Sequence, residues 1–298
     1  MNFNVFTPIM TNIYPNTFEQ KVGFDKVREL VVAKCLCPLG AAKVTAAEFL
    51  YDFESIERMI NQVDEMKSIC LMENSFPIEN YYDLTPSLNK ISKVGTWLDE
   101  VELQNLKRSL ETIRAILSFL KKVSEKYPNI AELAKTVAYY PYVVERIDSI
   151  LDKFGKIKDN ASPELAKIRS AIAAKQGSVS KLVQSILRNA REQGVVEQDV
   201  TPSIREGRVV IPVSAANKRK LKGIVHDESA TGKTVFIEPV EVVELNNEIR
   251  ELEYDERREI IRILVDFADN IRPYLPELLS AYDFLGTIDF IRAKALFA

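Results

Sequence analysis

The segment from Asp227 to Thr234 (DESATGKT) has the residue types of a phosphate-binding loop, because its last three residues match the end of that motif. The motif needs glycine where Asp227 stands, since backbone amides curl around phosphate there and a carboxylate repels the ligand. A phosphate-binding loop also opens a helix, whereas the residues that follow, VFIEP, have the pattern of a strand. We therefore interpret the segment as a polar hairpin turn, and not as an ATP site.

Other residue types that could perform chemistry lack partners. The stretch Ile263–Asp266 (ILVD) imitates a strand that ends in a magnesium-binding carboxylate, but it lies inside a predicted helix. His226 is the only histidine and has no visible nucleophile, so we interpret it as a structural imidazole that pairs within the turn. Cys35, Cys37 and Cys70 lack zinc-site spacing and are expected to be reduced, buried thiols. We predict no catalytic residue, no cofactor site and no metal site.

Basic residues carry the clearest functional signal. Residues 160–222 hold twelve basic and five acidic side chains, a net charge of +7, so the rest of the chain carries −10. A run of cations at a turn cannot all be buried, and it could neutralise several phosphates without reading bases. A turn that only aids solubility, or a solvated basic helix face, would give the same pattern. The predicted nucleic-acid-binding residues are Arg208, Lys218, Arg219, Lys220, Lys222 and Lys233.

Length and composition define the general class of protein. The chain has 298 residues, of which 46% are hydrophobic and 28% charged, enough to bury a core in one or two domains. A net charge of −3 argues against a generic nucleic-acid binder. The start has no basic region before its apolar residues, and no apolar run of about 18 residues follows. We expect a cytoplasmic protein with no membrane partner.

The periodicity predicts a mainly α protein in which a helical core bears two long antiparallel helices with a small antiparallel β-sheet at their far end. Residues 2–14 are predicted to be irregular, and Leu98–Val123 a strong amphipathic helix. Ser162 and Pro163 mark the start of a long helix that reaches about Arg191. The returning helix is predicted for Val242–Arg272, and Pro273 ends it.

The sheet is predicted from three short runs. These are Arg208–Val213, Leu221–Val225 and Thr234–Ile237, with the basic residues at a tip between the first two. Pro212 cannot donate a ladder hydrogen bond, so the first strand is predicted to be an edge. The chain divides into a helical core (1–160), an outgoing helix (161–195), a small β subdomain (196–241) and a returning helix with the end of the core (242–298). Its last residues, FIRAKALFA, carry no stop signal, which suggests that another domain follows.

Four stretches resemble the MutS-two family, paralogues of the mismatch-repair MutS proteins. They are DNASPELAKIR, REGRVVIPV, KLKGIVHDESATGKTVFIEP and VVELNNEIRELE, in the family's order. The family's GIVHD stands at Gly223–Asp227, and its TLFIEP at Thr234–Pro239 with valine in place of leucine. The resemblance covers essentially the whole chain. It implies that the long helices are levers and that the small sheet is a clamp, the part that meets DNA in MutS relatives.

The resemblance also implies what lies outside these residues. Full-length members continue into a dimeric ATPase domain, where ATP and magnesium are expected, and usually into a small nuclease domain; neither is matched here, so no enzymatic role transfers to a residue of this chain. The leading hypothesis is the nucleic-acid-binding core, lever and clamp of a homodimeric DNA-binding ATPase that binds branched DNA and suppresses recombination. Ribosome or structured-RNA binding in translation quality control and a helical protein-interaction scaffold remain alternatives.

Overall fold

A computed structural model describes residues 17–298 of the chain; the predicted irregular start at 2–14 lies outside them. The fold is mainly α, as predicted, with one small antiparallel sheet. Two compact units are present. The helical unit contains the described residues up to Ile147 together with Ala268–Ala298, and the sheet unit is Asp148–Phe267. Within the described residues, no helix is long and apolar enough to cross a bilayer.

The helices account for most of the described chain. Their bounds are α1 Phe18–Val22, α2 Phe24–Val32, α3 Pro38–Thr45, α4 Phe53–Met72, α5 Thr85–Lys90, α6 Glu100–Lys122, α7 Pro128–Glu132, α8 Pro141–Ile150, α9 Pro163–Glu192, α10 Val240–Ile271 and α11 Leu275–Phe297. The helix predicted at 98–123 is confirmed as α6. It begins with a capping box in which the Asp99 side chain accepts from the Glu102 amide and the Glu102 side chain accepts from the Asp99 amide.

The core of the helical unit is built around α11, which packs on α3 and α4. Helix α11 buries residues on all of its sides, among them the carboxylate of Asp289. Asp289 accepts hydrogen bonds from the amides of Leu36 (2.9 Å) and Cys37 (3.1 Å), just before α3. Burial raises the pKa of Asp289 even though these amides oppose the shift. Helix α3 is therefore fixed to α11 by a polar contact inside the core.

The tyrosines at 139–142 contribute to packing in the helical unit. The ring of Tyr140 lies 4.9 Å from that of Tyr274, and the Arg114 guanidinium lies 6.0 Å from the ring centre of Tyr139. Both contacts are packing interactions between elements of this unit.

The sheet unit is organised by α9 and the part of α10 that lies in it. Ser162 caps α9 by accepting from the Leu165 amide (3.0 Å), which confirms the predicted start, and 30 residues give the helix a length of about 45 Å. The two helices are antiparallel, because contacts that move forward along α9 move backward along α10. These contacts are Ser162 with Glu259, Arg169 with Glu256 and Lys175 with Glu248. The ILVD segment lies within α10, as predicted.

The sheet has four strands, so the prediction of three is wrong. The strands are β1 Ser203–Arg205, β2 Arg208–Ser214, β3 Gly223–Glu228 and β4 Thr234–Pro239, in the spatial order β1-β2-β4-β3. One face packs on the two helices through a core that includes Val183, Leu187, Ile211, Val213, Val235, Ile237, Val242 and Ile249. Three turns of α9 and the first turns of α10 thus hold the sheet in place.

Strand β2 lies inside the sheet, so the prediction that it forms an edge is also wrong. Its neighbour β1 is only three residues long, and their pairing ends at Ser203 opposite Val210. The Ala215 amide donates to the Lys233 carbonyl (2.9 Å), so by alternation the nitrogen of Pro212 points away from β4. The Pro212 nitrogen points toward the side of β1, but β1 has already ended at this level. Proline at this position therefore costs the sheet no ladder hydrogen bond.

Candidate nucleic-acid interface

The basic segment lies on a crossover, not at the tip of a hairpin as predicted. Strands β2 and β3 both run antiparallel to β4 and lie on either side of it, so they are parallel to each other. Residues 215–222 must therefore travel from one end of the sheet to the other. They begin with a 3-10 turn at Ala215–Asn217 and continue through turns to β3. The sequence suggested that β2 and β3 are neighbours in the sheet, and no local pattern reveals that β4 lies between them.

The backbone of the crossover is held at both of its ends and in between. Asn217 Nδ2 donates to the Val195 carbonyl (3.0 Å), in the loop that follows α9. Leu221 packs against the core of the sheet unit. The Lys222 carbonyl accepts from the Val240 amide (3.2 Å) at the start of α10. These contacts fix the path of the chain while leaving its charged side chains on the surface.

Five of the six predicted cations are exposed. Among the described residues none of these five has an ion-pair partner. Four lie on the crossover, and the fifth is at the turn that leads into β4. They are Lys218, Arg219, Lys220, Lys222 and Lys233. Lys222 and Lys233 lie just beyond opposite ends of the six-residue β4, which at 3.3 Å per residue separates them by more than about 16 Å. The cations therefore form an extended track and not a single point.

The turn at 229–233 has the geometry of a β-hairpin, as predicted. The Gly232 amide donates to the Ser229 carbonyl (2.7 Å), and the Ser229 amide donates to the Thr234 carbonyl (2.8 Å). Gly232 takes a φ of 65°, which glycine adopts without strain. Strand β4 follows directly, so this turn leads into a strand and not into a helix. The geometry is incompatible with a nucleotide-binding loop.

The sixth predicted cation, Arg208, forms its hydrogen bonds and its ion pair inside the protein. Its Nη1 donates to both carboxylate oxygens of Glu238 (2.8 and 3.0 Å), and its Nη2 donates to Asn247 Oδ1 (2.6 Å). Only 15% of its side chain is exposed. The structure thus separates Arg208 from the other five cations, and removing it from this network would leave a buried carboxylate unpaired.

Glu238 is the centre of a buried polar cluster that the sequence reasoning missed. Its side chain is fully buried, and it also accepts from Asn246 Nδ2 (2.7 Å) and lies 2.5 Å from His226 Nε2. Burial favours the neutral acid, but the hydrogen bonds from Asn246, His226 and Arg208 outweigh it and lower the pKa of Glu238. The carboxylate therefore joins β2, β3, β4 and α10. A carboxylate inside the apolar run TVFIEP was the signal that could have identified it.

The prediction that His226 pairs within the turn is wrong, because its partner lies across the sheet. The register of β3 on β4 shifts between Val225 and Asp227, so His226 lies at a β-bulge. The bulge directs its ring to Glu238 on the neighbouring strand. His226 thus has a structural partner, and the side chain is mostly buried at 16% exposure.

The described residues contain no group of three or more histidine, cysteine and carboxylate side chains that could hold a metal ion. The three cysteines are free thiols. Burial raises the pKa of Cys35 and of Cys37 to about 11, so both are protonated at neutral pH. The sheet unit thus combines five exposed cations on a backbone held in place with a buried polar cluster whose charges are paired.

The chain is similar to several curated proteins, although no family model matches it. Endonuclease MutS2 of Alkaliphilus oremlandii (strain OhILAs) is 32% identical over 273 residues, 91% of this chain and 34% of the relative. Endonuclease MutS2 of Pelotomaculum thermopropionicum is 33% identical over 279 residues, 94% of this chain and 35% of the relative. Endonuclease MutS2 of Geobacillus sp. (strain WCH70) is 32% identical over 278 residues. The chain spans about a third of the length of these relatives.

Proposed function

The chain is homologous to the MutS2 proteins over about nine-tenths of its length, and from this premise we propose that its sheet unit binds the phosphate backbone of nucleic acid. The homology confirms the resemblance seen in the sequence motifs. Because the chain corresponds to only about a third of each relative, the activities of the whole protein are part of the proposal.

One observation carries the proposal. Five cations stand exposed and without ion-pair partners among the described residues, on a backbone that the protein holds in place. Side chains already turned outward need not break an internal ion pair before they meet a phosphate. A fixed backbone also lowers the entropy lost on binding. The crossover itself, residues 215–222, contains no aromatic residue between its cations, so binding there is expected to be electrostatic and independent of sequence.

The test is the fluorescence anisotropy of labelled duplex and four-way-junction DNA with the intact chain at low salt. Changing Lys218, Arg219, Lys220 and Lys222 together to glutamate is expected to lower the affinity about 100-fold, because four phosphate contacts become repulsions. Circular dichroism checks that the variant keeps its fold, which we expect because all four side chains are exposed.

The matched control changes four other exposed lysines to glutamate, so that the net charge falls equally. Lys26, Lys93, Lys121 and Lys122 serve this purpose, since all lie in the helical unit. We expect the control to retain most of the affinity. Equal losses in both variants would mean that only net charge matters, and the proposed interface would be wrong; so would a chain that binds no DNA at low salt.

For the longer protein, we propose a homodimeric DNA-binding ATPase of the cytoplasm that binds branched DNA and suppresses recombination. ATP, magnesium and endonuclease activity belong to parts outside this chain. Helices α9 and α10 would act as the levers, and the sheet as the clamp. Ribosome or structured-RNA binding uses the same phosphate chemistry, so competition between junction DNA and ribosomes for the longer protein distinguishes the two partners.

A further inference from the structure

Arg205 and Phe236 form a stacked pair on the face of the sheet opposite the core. Phe236 points to that face, because successive side chains of a strand alternate and Val235 and Ile237 pack into the core. The Arg205 guanidinium lies over the Phe236 ring, with Cζ 4.1 Å from the ring centre. The pair therefore places a planar cationic group on top of a partly exposed aromatic ring.

Three strands hold this guanidinium in place. Arg205 belongs to β1, and its Nε donates to Asp227 Oδ2 (3.1 Å) on β3, while the Phe236 ring lies on β4. Its Nη1 donates to the Ile204 carbonyl (3.1 Å). Even with these contacts, 39% of the Arg205 side chain remains exposed. Phe236 covers one side of the planar group, so the group is oriented in advance and can still receive a ligand on its exposed part.

The chemistry of the stacked pair differs from that of the five exposed cations. Asp227 already pairs with the charge of Arg205, so a phosphate is attracted less strongly here than to an unpaired lysine. A guanidinium plane stacks on a nucleobase, and every base has a π face to offer. Pro212 lies directly opposite Phe236 on β2 and adds apolar area on the same face. These features suit an unpaired base better than a phosphate.

The stacked pair also lies close to one end of the cation track. Phe236 follows Lys233 by three residues, which at 3.3 Å per residue is about 10 Å along β4. A stacked nucleic-acid strand rises about 3.4 Å per nucleotide, so it covers this distance in about three nucleotides. A strand whose phosphate contacts Lys233 can therefore bring a base to Arg205.

We propose that Arg205, supported by Phe236, is a stacking site for an unpaired base of the nucleic acid whose phosphates contact the exposed cations. The inference rests on the proposed function and adds a specificity to it. The sheet unit should prefer nucleic acid with unpaired bases to a fully paired duplex, in which neighbouring bases cover both faces of each base. Stacking uses the face of the base and not its edge, so no preference for base identity is expected.

Fluorescence anisotropy of the intact chain with two labelled single strands of equal length, about 15 nucleotides, tests the proposal. One strand is oligothymidine, and the other has the same phosphates but an abasic site at every position. We expect the wild type to bind oligothymidine about tenfold more tightly than the abasic strand. Arg205→Lys keeps the charge but loses the plane, so it should bring this ratio close to one while leaving the affinity for the abasic strand nearly unchanged.

Two controls separate the stacking site from the phosphate interface. Arg188→Lys makes the same exchange at an exposed position of α9 and should leave the ratio unchanged. Lys220→Gln removes a phosphate contact, so it should lower the affinity for both strands by the same factor; if it alters neither affinity, the phosphate interface is wrong. Equal binding of the two strands by the wild type would overturn the stacking site. A ratio that Arg205→Lys leaves unchanged would overturn it as well.

Discussion

Replacing Glu238 by alanine is expected to destabilise the sheet unit by about 3 kcal/mol, because it removes one partner of a buried ion pair. Arg208 would lose both of its carboxylate bonds while remaining 85% buried, as its 15% exposure implies. His226 and Asn246 would each lose an acceptor as well. Of the polar cluster, the bond from Arg208 Nη2 to Asn247 Oδ1 would remain to join the strands to α10.

Urea unfolding of the intact chain measures the effect. Far-UV circular dichroism reports all helices and strands, whereas the fluorescence of Trp97, the only tryptophan, reports the helical unit. We expect the variant to shift the circular-dichroism transition to lower urea and to leave the Trp97 transition in place. Glu244→Gln, at an exposed position on α10, is the control and should change little. An unchanged transition for Glu238→Ala would contradict the role of the cluster.

The pH dependence of this contribution has a definite sign. The pKa of Glu238 is lower in the folded protein than its ordinary value of 4.5. Its contribution is therefore complete above about pH 4.5 and is lost as the pH falls through the lowered folded pKa. The stability difference between the wild type and Glu238→Gln should accordingly be constant near neutral pH and shrink in acid.

Gly223→Ala is expected to destabilise the sheet by about 2 kcal/mol, because a Cβ atom at this position would overlap the neighbouring strand. It would lie 2.1 Å from the Glu238 carbonyl oxygen and 2.6 Å from Cγ2 of Ile237. The carbonyl belongs to the backbone of β4 and cannot rotate away. The start of β3 must then separate from β4, and the crossover residue Lys222 moves with it.

Gly177→Ala provides a matched control in the same unit. Gly177 lies inside α9, and no atom is found within 4 Å of the position its Cβ would take. Alanine is favoured over glycine in a helix, so this variant should gain up to about 1 kcal/mol. Hydrogen exchange of peptides from β3 and β4 compares the two. Equal protection in wild type and Gly223→Ala would show that the strands accommodate the methyl group.

The helices could be predicted because their signals are local. Ser162 and Pro163 gave the start of α9, and Pro273 lies just past the end of α10. The spacing of apolar residues gave α6 within two residues at its start and one at its end. Each of these signals depends on neighbours in the sequence, so no tertiary information was needed.

The order of the strands could not be predicted in this way. Strand β1 has three residues, too few for a recognisable alternation. The exchange of β3 and β4 in the sheet depends on which strand edges meet after folding, which no local pattern records. As a result the basic segment was placed at a tip, whereas it forms a crossover.

The sequence predicted that the candidate site is basic, but it could not show which of the six basic residues are free. Charge and turn position identified the five exposed cations correctly as surface groups. Arg208 was included because it is basic and close in sequence, but its partner Glu238 is 30 residues away and becomes a neighbour only through strand pairing. Whether a basic residue is paired inside the protein or free thus depends on contacts between residues that are far apart in the sequence.

The salt dependence of DNA affinity tests the central claim most directly. If the crossover cations neutralise phosphates, the logarithm of the affinity should fall with the logarithm of the salt concentration, with a slope of about −0.9 per phosphate contact. Changing Lys220 alone to glutamine should reduce the magnitude of the slope by about 0.9, and Lys122→Gln should not alter it. A slope that stays the same when Lys220 is neutralised would contradict the account.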